Sequence, residues 1–123
     1  MRAAPLLLLL LAPPAAAQAP RCGYGGGLEA LRTAERALRG GGAAPDLPGG
    51  RAAAEAAAGA LSEATSVLAG CGCARAAELT QEAGWLAEQA AFESTAERIR
   101  TVLDRARLSL GLARERLDRR GCG

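Results

Sequence analysis

Four cysteines divide this chain into two segments of equal length. Cys22 and Cys71 lie 49 positions apart, and so do Cys73 and Cys122. Each segment ends in a glycine-flanked cysteine, Gly70-Cys71-Gly72 and Gly121-Cys122-Gly123. Two equal stretches, each bracketed by a cysteine at both ends, read as a stapled architecture before any helix is assigned. The pattern constrains the fold strongly and names no biochemical activity.

Whether the cysteines are oxidised depends on where the chain goes. Met1-Arg2 is a short positive start, Leu6 to Leu11 is an unbroken leucine run, and Ala15-Ala16-Ala17 is a small-residue cleavage site. That is the plan of a secretory signal peptide, and the apolar run is too short to span a membrane as a helix. Pro5, Pro13 and Pro14 oppose a packed N-terminal helix. The expected organisation is a signal peptide over 1–17, a flexible glycine-rich segment over 18–27 and a helical domain over 28–123. Arg21 directly before Cys22 argues against lipidation of that cysteine. The expectation is therefore an exported protein, periplasmic or extracellular, where disulfides form and persist. No later stretch is apolar enough for stable membrane insertion.

Composition excludes several function classes. There is no histidine, which removes the commonest general base and the commonest metal ligand. All 15 basic residues are arginine against 13 acidic ones, a balance that favours neither nucleic acid nor an anionic membrane. The glycine-rich stretches at 23–27 and 40–42 lack the strand and lysine of a phosphate loop. Glu78 and Glu82 fall on an outward helix face. The chain is read as a non-enzyme with no cofactor, and no motif in it is specific enough to identify a family.

About a quarter of the residues are alanine, which favours helix. Leu28, Leu31, Ala34 and Leu38 place a first helix over 28–39, stopped by Gly40-Gly41-Gly42 and followed by a flexible link through Asp46-Leu47-Pro48-Gly49-Gly50. Ala53, Ala57, Ala60, Ala64 and Val67 place a second over 51–69. Ala76, Leu79, Ala83, Leu86 and Ala90 place a third over 74–90. A single helix from 74 to 120 would reach about 70 Å, too long for one small domain. Ser94 with Glu97 reads as a capping box that breaks it. The fourth helix, 95–119, carries a seam of Phe92, Ala96, Ile99, Leu103, Ala106, Leu110, Ala113 and Leu117, suited to shallow-angle bundle packing. That seam also permits a homo-oligomer.

Four helices with short connections run up, down, up, down. The trace brings all four cysteines to one end of an all-α bundle. Of the three full pairings that four cysteines allow, Cys22–Cys71 with Cys73–Cys122 closes each hairpin on itself and is favoured. Cys22–Cys73 with Cys71–Cys122 would instead crosslink the hairpins. Joining Cys71 to Cys73 strains the required geometry. The expected product is a small up-down bundle of two disulfide-stapled hairpins, acting as a structural or interaction module on an unknown protein or envelope partner. A different class of function stays open. Cys71-Gly72-Cys73 could be a redox pair, or the four thiolates could hold a metal, although the spacing is short for zinc. Arg100, Arg107 and Arg114 form a stripe that could meet an anionic surface or a partner, but their carboxylate neighbours favour the plainer reading of a solvated face. Trp85 and Tyr24 are further contact candidates, because aromatics are common at binding hot spots.

Overall fold

The computed structural model describes residues 22–122; the leader over 1–17 and residues 18–21 lie outside the described residues. Four helices follow one another: α1 (Gly25–Ala43), α2 (Leu47–Gly70), α3 (Ala74–Ala91) and α4 (Ala96–Arg120). Consecutive helices pack against each other, and α4 closes back on α1. The chain is an all-α up-down bundle of two hairpins, each stapled by its own disulfide.

The square is sheared. α2 and α4 touch across one diagonal, whereas α1 and α3 do not approach within 8 Å at their Cα atoms. Glycine permits close approach both on this α2–α4 diagonal and along the α1–α4 edge. A Cβ placed on Gly50 would sit 3.2 Å from Ile99 Cδ1, and one on Gly41 would collide with Leu103 Cδ1 while lying 3.2 Å from Ala53 Cβ. Bare backbone on α1 and α2 thus receives the branched side chains of α4.

Each helix boundary has a local cause. α1 begins at Gly25, inside the stretch read as flexible, and runs straight through Gly40-Gly41-Gly42 to Ala43. Glycine lowers helix propensity by about 1 kcal/mol. Here, packing of Gly41 against Leu103 and Ala53 outweighs it, so the triplet does not stop the helix. α2 begins at Leu47 rather than 51. Asp46 is its N-cap, with Oδ1 accepting from the Gly49 amide at 2.8 Å, and Pro48 lies in the first turn. α4 is capped one residue later than expected. Thr95, not Ser94, accepts from the Arg98 amide at 3.1 Å, and Glu97 lies in the first turn where the dipole favours an anion.

The buried faces differ from the expected ones in two places. On α2 the core stripe is Ala54, Ala57, Ala60, Leu61, Ala64 and Leu68; Ala53 and Val67 are only half-buried. Phe92 does not join the α4 seam. It caps α3, is 88% exposed, and is separated from Ala96 by non-helical backbone where the helical period does not apply. The rest of the seam, Ile99 to Leu117, is buried within the bundle.

Seven large apolar side chains are fully buried, Leu31, Leu38, Leu61, Leu68, Ile99, Leu103 and Leu110, and Leu79, Val102 and Leu117 are nearly so. Each contributes about 1.5–3 kcal/mol by burial. None of these seven comes from α3, whose buried face is Ala76, Ala77, Thr80, Ala83, Gly84, Ala87 and Ala90, with Leu79 its one large apolar residue. Thr80 is fully buried and donates its hydroxyl to the Ala76 carbonyl at 2.7 Å, so no donor is stranded there.

Gly59 and Gly111 are a different case from Gly41. Both lie in helix interiors, are exposed, and would present an added Cβ to open space. The double variant Gly59→Ala/Gly111→Ala is expected to be more stable by about 1–2 kcal/mol. Thermal unfolding followed by circular dichroism should show a melting temperature raised by about 5–10 °C.

Candidate functional site

The two disulfides, Cys22–Cys71 and Cys73–Cys122, have Cα separations of 5.2 and 4.2 Å. The first joins the start of α1 to the end of α2, and the second joins the start of α3 to the end of α4. All four cysteines therefore meet at one pole. The joint between them is a Schellman turn. The Cys73 amide donates to the Leu68 carbonyl at 2.9 Å and the Gly72 amide to the Ala69 carbonyl at 3.1 Å. Gly72 adopts φ +80, a left-handed conformation that favours glycine. Cys71 ends α2 and Cys73 is the N-cap of α3, so a single residue separates the two hairpins.

Cys73 is 1% exposed and Cys71 is also buried, whereas Cys22 is exposed and Cys122 half-buried. Every cysteine is bonded. In this state no sulfur is a thiolate, so the pole offers neither a nucleophile nor a thiolate metal ligand.

The far pole is held differently. Besides the Asp46 and Thr95 caps, the Arg51 guanidinium donates to the Glu93 carbonyl at 3.2 Å, tying the first turn of α2 to the α3–α4 connection. No covalent link lies at this end.

The arginine stripe faces α1. Arg114 makes an ion pair of 2.9 Å with Glu35, both side chains only 28% exposed, and this pair joins the first helix to the last. Arg107 leans toward Asp104 at 3.8 Å, and Arg100 is half-buried. An incoming anion would compete with Glu35 and Asp104 for two of the three guanidinium groups. Tyr24 is half-buried against the core at the start of α1, so it is not a free contact residue.

No family model matches this chain, and no curated protein or solved structure gives a significant match to it. The surface must therefore be judged on its chemistry.

Grooves run between neighbouring helices, and three of them bear on the candidate residues. Between α1 and α4, Glu35, Arg39 and Arg107 surround bare Gly111. Between the start of α3 and the end of α4, Leu79 and Leu112 floor a groove edged by Arg75, Arg116, Arg119 and Arg120. Two of those arginines already meet carboxylates on their own helices, Arg75 with Glu78 at 3.1 Å and Arg119 with Glu115 at 2.9 Å. The third groove, of about 200 Å³, lies between α2 and α3. Ser62 and Ser66 face it from α2, and Gln81, Trp85 and Glu88 from α3.

Trp85 was a sequence candidate on its type alone. Its neighbours in the groove were missed, though part of the signal was present. Gln81 and Glu88 stand one turn before and one turn after Trp85 and share its helix face. The serines could not be found in this way, because the register of α2 against α3 is set by the turn at Gly72.

Proposed function

We propose that this chain is an exported, non-catalytic helical module whose role is structural or one of recognition, built to keep its shape in an oxidising compartment. The observation that carries this is the complete use of the cysteines in two hairpin-closing disulfides. Such bonds persist outside the cytosol and are rare within it. The leader-like residues 1–17 agree with export, and the absence of histidine from the sequence agrees with a non-catalytic role.

The partner would be an envelope or extracellular molecule rather than nucleic acid, since the charge is nearly balanced. Self-association cannot use the α4 seam, which is spent inside the bundle. It would have to use exposed Leu108, Leu112 and Phe92.

Intact mass of the protein recovered from cells, with and without alkylation, tests this. The expected species starts at Gln18, lacks the hydrogens lost to two disulfides, and takes up no alkylating agent until reduced. Retention of the leader would remove the case for export. Alkylation of the native protein at Cys71 or Cys73 would favour thiol-redox chemistry at that triplet instead.

A further inference from the structure

Trp85 is the only tryptophan in the chain, yet it is 61% exposed. In a core this thin, burying an indole would be one of the larger apolar gains on offer. The fold instead gives α3 an inward face of mostly alanine with Thr80 and Leu79, and stands the indole at the edge of the α2–α3 groove. Around it are groups of one kind. Ser62, Ser66 and Gln81 can both donate and accept hydrogen bonds, and Glu88 accepts them. None of the four makes a hydrogen bond or ion pair within the described residues. Thr65, also in the groove, has already committed its proton to the Leu61 carbonyl at 2.7 Å.

The lining contains no cation, and Glu88 is its one charge. Phosphate, sulfate and carboxylate ligands would meet no cation there and would face the Glu88 carboxylate. The remaining chemistry, one aromatic face beside several uncommitted hydroxyl, amide and carboxylate groups, suits a neutral ligand with an apolar face and a rim of hydroxyls.

We propose that the groove between α2 and α3 binds a neutral pyranose ring, its C–H face stacked on Trp85 and its hydroxyls bonded to Ser62, Ser66, Gln81 and Glu88. The stretch beside Trp85, about 200 Å³, holds one ring, and the groove continues past Thr65 and Gln81 into a stretch of about 310 Å³, so the ring can stand alone or belong to a glycan chain. A proline-rich peptide is the less suited occupant, because grooves for such segments are lined with several aromatics. The inference goes beyond the proposed module and does not depend on export, so either can fail alone.

A lone tryptophan makes the site directly readable. The oxidised full chain is titrated with methyl β-D-glucopyranoside and with diacetylchitobiose while Trp85 emission is recorded. Mannitol serves as an open-chain polyol, and decaproline as the peptide. The pyranosides are expected to give a saturable change with a midpoint on the order of 1–10 mM, and mannitol and decaproline none. Ser66→Ala/Gln81→Ala leaves the fluorophore and the helical spectrum intact and should weaken the response about five- to tenfold. The proposal is overturned if both pyranosides leave the emission unchanged to about 50 mM. It is equally overturned if mannitol or decaproline saturates the signal as well as they do, or if the double variant responds like the parent.

Discussion

Reduction of the two disulfides is expected to lower the melting temperature by tens of degrees. Each bond closes a loop of sequence separation 49. In the chain-entropy model a loop of that size contributes about 4 kcal/mol by restricting the unfolded chain. Two such terms approach the 5–15 kcal/mol net stability of an ordinary domain, and this core, with few large side chains, has little to spare. Equal loops also imply equal entropic losses. Cys22→Ala/Cys71→Ala and Cys73→Ala/Cys122→Ala should therefore each cost about 4 kcal/mol. A larger loss for the second pair would report the burial of Cys73. Thermal unfolding with and without excess reductant decides the matter, and superimposable curves would show that the staples do not hold this fold.

The second large effect is where α4 packs on α1. Leu103 is fully buried and its Cδ1 occupies the space over Gly41. Leu103→Ala should cost about 2–5 kcal/mol through lost burial and the cavity left behind. Gly41→Ala should cost about 1–3 kcal/mol despite the better helix propensity of alanine, because Leu103 has no other room and Ala53 crowds the same site. Made together, the two changes should be less harmful than their sum. The methyl added at position 41 enters the space the leucine vacates, giving a coupling of about 1–2 kcal/mol. Chemical denaturation of the four members of the cycle measures it. Strict additivity would mean that α1 and α4 do not meet at this point.

Much of this architecture could be read from the chain because its signals were redundant. Helix number came from apolar periodicity, hairpin topology from the short connections, and both agreed with the equal cysteine spacing on one pairing. The cysteine pole was legible because an even number of antiparallel helices must return the chain to its starting end. Boundaries were less legible because they depend on single side chains. Asp46 and Thr95 do the capping, and neither stands out in a sequence where Pro48, Gly49 and Ser94 offer competing punctuation. The face of α2 was ambiguous for another reason. Alanine surrounds that helix on every side over 52–58, so periodicity alone selects no stripe; Leu61 and Leu68, seven apart, do. Gly40-Gly41-Gly42 misled because its packing partner, Leu103, lies some sixty residues away. The α2–α3 groove was the least legible feature, since it exists only once two helices are set in register.

The placement of the disulfides also has a topological consequence. Cys22–Cys71 and Cys73–Cys122 make the covalent chain a pair of rings joined through Gly72 alone. A protease that cuts once inside either ring opens a loop but releases no fragment, and both strands stay attached through sulfur. Between Cys22 and Cys122 only the two peptide bonds of Gly72 lie outside both rings, so only a cut there parts the halves. Those bonds sit between two buried cysteines, in a turn pinned by hydrogen bonds to Leu68 and Ala69.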